Sequence, residues 1–257
     1  MAVTEQTSPS VYKTVQKRLV PLALTNEIIS LMHRDGFAGH QSKERTAKMV
    51  KESYSWPGLT SQVHKYVQSC ETCQNFNIPN KTNEIGEYPD SEQPFRVVAF
   101  DFCGPFGKKK KSHKYILVIV DVCSRFVFLV PTYSTEADEV MRAFRDHVIT
   151  LCGVPSIAMC DMESSFVSKK FKSYCQDIGM LLKPVPAQAS NSNGLIERTI
   201  RTVQNHVRRL IDQEQWDKKW TDCLSLVQFI MRNARRDDVN LSPSEIAFGF
   251  RVRGPWS

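Results

Sequence analysis

Three acidic residues constrain this chain more than any other feature of its sequence. Asp101 ends an apolar run that begins at Val97, and Asp161 ends a second run that begins at Ile157. A further 35 residues separate Asp161 from Glu197, which stands near the start of a long amphipathic helical pattern. Two carboxylates that follow buried strands and one carboxylate on a helix can converge on divalent metal ions. The arrangement predicts phosphoryl transfer on a nucleic acid.

The segments around those acids predict an α/β domain. Apolar and alternating runs predict strands over residues 95–102, 114–123, 125–133, 156–161 and 180–185. Helical periodicity predicts helices over residues 135–150, 168–178, 194–214 and 218–234. Three successive strands followed by alternating helices and strands imply a mixed five-stranded sheet with helices on both faces.

The region before the sheet predicts a separate helical unit. The segment from Ile78 to Gln93 is rich in Asn, Pro, Glu and Thr and has few large apolar residues, which is typical of a linker. The predicted organisation is therefore a helical domain over residues 1–78, a linker over 79–93, a catalytic domain over 94–250 and a tail over 251–257.

Four candidate zinc ligands lie in the helical unit. Six residues separate His33 from His40, and 29 residues then precede the pair Cys70-x-x-Cys73. Two imidazoles and two thiolates complete a tetrahedral shell and leave no position for a substrate, so the predicted zinc is structural. The alternative is that His33 is a surface residue at a helix end and that the cysteine pair is coincidental. His64 is interpreted as a surface residue, because it would be a fifth ligand.

Two other acids are candidates for the same role as Asp101, Asp161 and Glu197, although an acidic residue at a strand end commonly stabilises a turn. Asp121 precedes the turn that ends at Arg125 and is interpreted as a turn residue. Asp101 is followed by Gly104-Pro105, which turns the chain and leaves the carboxylate at the edge of the sheet. Glu163 is a second competing acid, two residues after Asp161. A group of carboxylates repels itself, which predicts Mg²⁺ or Mn²⁺ as the neutralising cation.

The helix that carries Glu197 combines an apolar stripe with a polar face. The polar face contains Arg201, Asn205 and Arg208, which are predicted to contact a nucleic-acid backbone. An ordinary amphipathic surface helix would explain the apolar stripe equally well. It would not explain the polar stretch from Gln188 to Gly194 just before it, which is typical of a substrate-positioning loop.

Charge and cysteine content narrow the class of protein. The net charge is +7, and nine Arg or Lys against four Asp or Glu lie between Arg198 and Arg236, which favours an anionic partner such as DNA. Residues 1–10 do not have the pattern of a secretory signal peptide. Eight cysteines in a sequence without such a signal indicate a reducing compartment. No apolar run is long enough to span a bilayer.

Nearly the whole chain, from about Arg18 to Phe250, resembles retroviral-type integrases, especially those of gypsy-class retrotransposons and host proteins derived from them. The matching motifs are Gly39-His40, Tyr54-Ser55-Trp56-Pro57-Gly58, Cys70-x-x-Cys73-Gln74, Asp101-Phe102-Cys103-Gly104-Pro105, Gly153-x-Pro155, Asn193-Gly194-Leu195-Ile196-Glu197-Arg198 and Ser242-Pro243-Ser244-Glu245. The zinc-ligand spacing together with the 35-residue carboxylate gap makes the resemblance highly specific.

The resemblance implies an RNase H-like catalytic core, 3′-end processing and DNA strand transfer with a divalent metal, and assembly as an oligomer on DNA ends. By position, Asp101, Asp161 and Glu197 match the catalytic triad of the family. The zinc ligands of the family match His33, His40, Cys70 and Cys73. A nuclear location is expected mainly from the DNA-based function. The lysines from Lys108 to Lys111 could form a nuclear localisation signal, but they are interpreted in preference as a solvated hairpin tip.

The chain departs from the family pattern at three places. Glu163 stands where family members usually have Gly, and Ala189-Ser190 stand where they usually have His-Pro. The usual C-terminal DNA-binding region does not follow before Ser257, as in a fragment or in a host gene that kept part of an element. The main alternative to an active integrase is therefore a domesticated DNA- or chromatin-binding protein with weak or no catalysis. An RNase H-type nuclease would leave the zinc unit unexplained.

Overall fold

The computed structural model describes residues 2–8, 11–75, 91–106, 112–163, 165–185, 190–213 and 220–254. Its N-terminal region contains four short strands and four helices. The strands are β1 (Ala2–Ser8), β2 (Val11–Gln16), β3 (Arg18–Leu19) and β4 (Tyr54–Ser55). The helices are α1 (Thr25–Arg34), α2 (Lys43–Ser53), α3 (Leu59–Gln68) and α4 (Glu71–Asn75).

Strands replace part of the predicted helical unit. β1 pairs with β2 as an antiparallel hairpin, and β3 pairs in parallel with β4. The segment 2–19 alternates Val and Thr with polar residues, and this β-branched composition favours strands over helices. The helical expectation therefore applies from α1 onward. Residues 79–90 of the predicted linker lie outside the described part of the chain, so the domain boundaries stay a prediction.

Helices α1 to α3 pack around a small apolar core. Ile29, Val50 and Val63 contribute one fully buried side chain from each helix. The side chain of Ser42 caps α2 by accepting a hydrogen bond from the backbone N–H of Arg45 at 3.3 Å. A core of this size buries little apolar area, so a bound metal would be a large part of the stability of the unit.

The second region is built on the predicted mixed five-stranded sheet. Its strands are β5 (Val97–Cys103), β6 (Tyr115–Asp121), β7 (Val127–Thr132), β8 (Ile157–Cys160) and β9 (Leu181–Pro184). They are ordered β7-β6-β5-β8-β9. The first three strands pair antiparallel, whereas β8 and β9 continue the sheet in parallel. This confirms the α/β fold class predicted from the pattern of strands and helices.

Helices cover both faces of the sheet. One face holds α5 (Ala137–Ala143), a π-helical segment (Phe144–Ile149), α6 (Thr150–Cys152) and α7 (Lys169–Asp177). The other face holds α8 (Ser190–Gln213), a 3₁₀ turn (Trp220–Cys223) and α9 (Leu224–Asn233), and α10 (Pro243–Phe248) follows α9. None of the helices in the described ranges combines the length and apolar character needed to cross a bilayer.

Side-chain alternation along β5 decides which face carries the first acid. Val97 and Ala99 pack in the core beneath α8 and α9, whereas Val98 and Phe100 pack on the opposite face. Because successive side chains of a strand point to opposite faces, Asp101 belongs to the α8 face. It lies inside β5, not at the strand end that the sequence suggested, because β5 continues along β6 to Cys103.

The register of the parallel strands brings the second acid beside the first. Ala99 of β5 is the partner of Met159 of β8, and β8 ends at Cys160. Continuing that register by two residues sets Asp101 beside Asp161, on the face that α8 covers. The pairing on the β8 side stops where the two aspartates begin, so both carboxylates stand at an open notch of the sheet.

Asp121 has the turn-stabilising role that its sequence context predicted. It is fully buried, and its carboxylate accepts hydrogen bonds from the backbone N–H of Phe95 and of Ser124, both at 2.8 Å. The hydroxyl of Ser124 donates a third bond at 2.5 Å. Three donors occupy this carboxylate, which therefore ties the start of β5 to the β6–β7 turn.

Candidate zinc centre and candidate catalytic site

The four predicted zinc ligands converge on one buried point. One ligand atom each from His33, His40, Cys70 and Cys73 lies within 4.8 Å of the others. The two thiols stand at the start and inside of the short helix α4, while the histidines flank the turn between α1 and α2. His64 is outside this group, as the interpretation of it as a surface residue requires.

The distances among these atoms fit a tetrahedral zinc ion. Zinc at about 2.3 Å from sulfur and about 2.0–2.1 Å from nitrogen holds its tetrahedral ligands about 3.5 Å apart. His40 Nδ1 lies 3.3 Å from Cys70 Sγ and 3.5 Å from Cys73 Sγ. His33 Nε2 lies 3.4 Å from Cys73 Sγ. The donor set and its spacing are therefore those of a closed structural zinc site.

The surroundings of His33 orient its ring for metal binding. Thr46 Oγ1 donates to the backbone carbonyl of Gln41 at 3.2 Å and lies 3.4 Å from His33 Nδ1. With its hydroxyl hydrogen committed to Gln41, Thr46 can accept the Nδ1–H of His33. The lone pair of Nε2 then points at the thiols, which is the tautomer that a metal requires.

Burial keeps two of the zinc ligands, His33 and Cys73, in their neutral forms when no metal is bound. Burial, and then the charge of His40, lower the pKa of His33 to about 3. Burial and the neighbouring Cys70 raise the pKa of Cys73 to about 12. The imidazole is ready to bind, whereas the thiol must lose its proton to become a ligand, so metal binding is coupled to proton release.

The second cluster consists of carboxylates at the notch beside β8. Oxygens of Asp101, Asp161 and Glu163 lie within 4.8 Å of one another, and all three residues are half-buried. Asp161 accepts a hydrogen bond from the backbone N–H of Glu163 at 2.9 Å, and Asp101 accepts one from Phe102 at 2.7 Å. Glu163, which the sequence presented as a competing acid, is thus part of the cluster.

Glu197 stands near this cluster but outside its closest group. Its side chain is exposed on α8, and its charge is one of those that raise the pKa of Asp101. Among the described residues the structure therefore joins two of the three predicted catalytic acids directly, and it places the third within electrostatic reach. The catalytic role of all three stays a prediction.

The electrostatics of the cluster call for a cation. Burial, followed by the charge of Asp161, raises the pKa of Asp101 to about 7, against the opposing hydrogen bond from Phe102. Burial and Asp161 also raise the pKa of Glu163. Carboxylates that are this difficult to ionise together become favourable once a divalent cation neutralises them.

The predicted nucleic-acid contacts on α8 differ in accessibility. Arg208 is exposed, whereas Arg201 and Asn205 are half-buried. The Oδ1 atom of Asn205 has no hydrogen-bond partner among the described residues. Gln204 on the same face donates to Cys103 Sγ at 3.4 Å, which ties this part of α8 to β5.

The sequence predictions for the apolar stripe of α8 and for the segment before it have different outcomes. The apolar stripe of α8 is buried as expected, with Ile196, Val203 and Leu210 at most 2% exposed. Residues 190–194 of the predicted loop before Glu197 belong to the helix, which begins at Ser190. Ala189 and the lysines 108–111 lie outside the described residues. All eight cysteines are free, and most of those outside the zinc centre are buried.

Family models match both regions of the chain. The integrase zinc binding domain matches residues 20–79, and the integrase core domain matches residues 91–190. Among curated proteins, the Transposon Tf2-3 and Tf2-4 polyproteins of Schizosaccharomyces pombe are each 29% identical over 226 residues, which is 87% of this chain and 17% of the polyprotein. The chain thus spans about a sixth of the length of these relatives.

Solved structures of retroviral integrases share the fold. The HTLV-2 integrase catalytic core domain in complex with magnesium matches with a TM-score of 0.52 at 18% identity, covering 62% of this chain and 99% of that chain. A chain of the simian T-cell lymphotropic virus intasome, in complex with PP2A regulatory subunit B56 gamma, matches with a TM-score of 0.58 at 16% identity. That match covers 90% of this chain and 76% of the other.

A His-His-Cys-Cys zinc-binding unit joined to a mixed five-stranded core with an acidic notch defines a protein of the integrase class. The two domain matches and the retrotransposon relatives make the assignment specific. The chain contains the integrase zinc binding domain and the integrase core domain, and over 87% of its length it is similar to the polyproteins of Tf2 retrotransposons.

Proposed function

We propose that this chain is a transposable-element-derived integrase that performs metal-dependent polynucleotidyl transfer, namely 3′-end processing and DNA strand transfer. The observation that carries the proposal is the convergence of Asp101 and Asp161 at an open notch, with Glu163 beside them and Glu197 on the adjoining helix. The integrase core match includes the first three of these residues.

Each group in the notch has a definable task in that reaction. Asp101, Asp161 and Glu163 would hold Mg²⁺ or Mn²⁺, with Glu197 completing the site from α8. Two such ions supply activation of a water or 3′-hydroxyl nucleophile and stabilisation of the leaving 3′ oxygen. The exposed guanidinium of Arg208 binds a backbone phosphate, which keeps the scissile bond over the acidic cluster.

DNA is the proposed partner, and several copies of the chain are proposed to assemble on DNA ends. The excess of basic residues that follows Glu197 in the sequence supports the first proposal. The intasome that shares the fold is an assembly of the related viral protein, which supports the second. A nuclear location follows if the substrate is chromosomal DNA.

Strand transfer by the purified chain tests the proposed activity. Asp161→Asn should reduce joining of a labelled duplex in Mn²⁺ by at least about 100-fold, because it removes a charge that neutralises the ion. Asp177→Asn, on the exposed side of α7, is the matched control and should retain full activity. Equal joining by the wild type and Asp161→Asn would end the enzymatic proposal.

A domesticated DNA-binding protein is the second candidate, and the position of Glu163 favours it. A carboxylate where the family usually has Gly crowds the cluster and raises the pKa of its neighbour Asp101. This candidate expects that the wild-type chain binds duplex DNA in a gel-shift assay but produces no joined strand with either Mg²⁺ or Mn²⁺. Substituting Glu163→Gly should then restore joining.

Metal affinity separates a ligand role for Glu163 from a purely repulsive one. As a ligand within 4.8 Å of both aspartates, it contributes charge that the cation needs. We expect Glu163→Gln to weaken Mn²⁺ binding by the DNA-free protein roughly tenfold, because affinity follows ligand charge. Glu197→Gln should have a smaller effect. Electron paramagnetic resonance of free Mn²⁺ measures both, and tighter binding by Glu163→Gln would contradict the ligand role.

A further inference from the structure

The zinc centre and the catalytic helix meet in one interface. Residues 35–41, here called the zinc loop, connect α1 to α2 and carry the ligand His40. Helices α8 and α9 of the core lie against this loop. The two regions of the chain are therefore packed together at the zinc ligand itself.

Helix α8 contacts the backbone of the zinc loop through the side chain of Arg209. Arg209 Nη1 donates a hydrogen bond to the backbone carbonyl of His40 at 3.0 Å. One turn earlier, the ring of His206 lies close to Gly39 and is only 7% exposed, so it is buried inside the interface. The bond from Arg209 thus reaches a main-chain atom of a zinc ligand.

Helix α9 holds the opposite side of the loop. Gly39 has φ of +64°, and a Cβ atom there would lie 2.5 Å from Cδ1 of Ile230. The loop thus approaches α9 more closely than any other residue type permits. The rings of Phe37 and Phe229 meet edge to face with their centroids 5.4 Å apart. The zinc loop is consequently clamped between two helices of the core.

The conformation of the clamped loop depends on the metal site. His40 has φ of +49°, which is unusual for a residue with a side chain, and its backbone N–H donates to the carbonyl of His33 at 3.0 Å. A zinc ion shared by both histidines would lock this turn. Apart from such an ion, the turn is held by backbone hydrogen bonds, including the one from the N–H of Gly39 to the carbonyl of Asp35 at 3.1 Å.

Helix α8 can carry a displacement from the loop to the notch. Arg209 and Glu197 are 12 residues apart on one continuous helix, a distance of about 18 Å at 1.5 Å per residue. Between them, Gln204 contacts Cys103 of β5, the strand that contains Asp101. A change in the pose of α8 at Arg209 therefore alters the position of Glu197 and the setting of β5.

We propose that the zinc centre positions the catalytic helix, and that Arg209 is the positioning residue that couples the two metal sites. With zinc bound, His33 and His40 would hold the loop in its observed turn. The loop supplies the carbonyl that Arg209 binds, and α8 in that pose presents Glu197 to the acidic cluster. The inference rests on the proposed function only in requiring that the acidic cluster bind a divalent cation. It assigns to the zinc unit a role within its own chain, besides its own stability.

The test measures Mn²⁺ affinity and amide hydrogen exchange on the full chain. Arg209→Ala should retain one equivalent of zinc by atomic emission, yet bind Mn²⁺ at least fivefold more weakly. It should also exchange amides of residues 197–204 about tenfold faster. Stripping zinc from the wild type should produce the same two changes, and stripping zinc from Arg209→Ala should add little. Non-additivity of this kind is the signature of a shared path.

Further variants protect the result against trivial explanations. Arg209→Lys keeps a donor and should recover most of the Mn²⁺ affinity, while Arg142→Ala on the surface of α5 should change nothing. If Arg209→Ala fails to fold, Arg209→Met, which keeps the aliphatic stem and removes the donor, takes its place with the same expectations. Unchanged Mn²⁺ affinity and exchange in a zinc-loaded variant would overturn the proposal, as would fully additive effects. If wild-type Mn²⁺ binding equals that of Asp101→Asn, the proposed function fails, and the exchange data alone decide the coupling.

Discussion

Replacing Cys73 with serine should abolish zinc binding and unfold the N-terminal helices. The hydroxyl of serine is a poor zinc ligand, and it would leave three ligands around a buried point. Zinc contributes on the order of 10 kcal/mol to small domains of this kind, more than the few buried side chains of α1 to α3 can replace. Zinc content should fall from one equivalent to none, with a loss of helical circular dichroism.

Cys175→Ser is the matched control for that experiment. Cys175 is also buried, but it lies on α7 beneath the sheet and outside the zinc group. The Cys175→Ser protein should keep its zinc, and its free energy of unfolding should fall by only about 1–2 kcal/mol, the cost of burying a hydroxyl. Limited proteolysis would locate the damage, with cleavage within residues 25–75 for Cys73→Ser alone. Retention of zinc by Cys73→Ser would mean that the ligands have been misassigned.

The zinc ligands could be predicted from the sequence because their geometry is largely local. Cys70 and Cys73 stand one helical turn apart, and His33 and His40 flank one short turn, so spacing alone brings each pair together. The strands around Asp101 and Asp161 could be predicted equally well, since fully buried parallel strands appear in a sequence as continuous apolar runs. In these cases one or two elements decide the geometry.

The remaining features depend on contacts that no local pattern encodes. Arg209 and His40 are 169 residues apart, and nothing in the periodicity of α8 shows that its polar side meets the zinc loop. Membership of Glu163 in the acidic cluster depends on how the chain leaves β8, which the backbone hydrogen bond from Glu163 to Asp161 sets. The β1–β2 hairpin had a signal in its Val and Thr content, which the helical interpretation overlooked.

Asp101→Asn should abolish strand transfer and at the same time stabilise the metal-free protein. The pKa of Asp101 is raised from 3.8 to about 7, so the folded state holds a proton that the unfolded chain releases. The resulting instability is absent below pH 4, grows as the pH rises towards 7, and is complete above it. Asparagine carries no charge and removes this destabilisation. The free energy of unfolding should therefore rise by about 2–4 kcal/mol at pH 8 and change little at pH 4.

Substitution of Asp121, in the same sheet, should have the opposite effect on stability. Its carboxylate accepts three hydrogen bonds from Phe95 and Ser124. In Asp121→Asn, the amide NH₂ group would replace one of these acceptor oxygens and would face a hydrogen-bond donor. We expect a loss of about 2–4 kcal/mol, because buried donors are left unsatisfied. Denaturant unfolding at pH 8 without metal should therefore rank Asp101→Asn above the wild type and Asp121→Asn below it.

Divalent metal should reverse part of that order. Mn²⁺ binds only the folded wild-type cluster, so its addition raises the unfolding free energy of the wild type by linkage. Asp101→Asn has lost a charged ligand and should gain little at the same concentration. If Mn²⁺ stabilises both proteins equally, the cation binds elsewhere and the acidic notch is not its site. A stabilised but inactive Asp101→Asn would instead show that the chain keeps a costly carboxylate for the sake of the metal it binds.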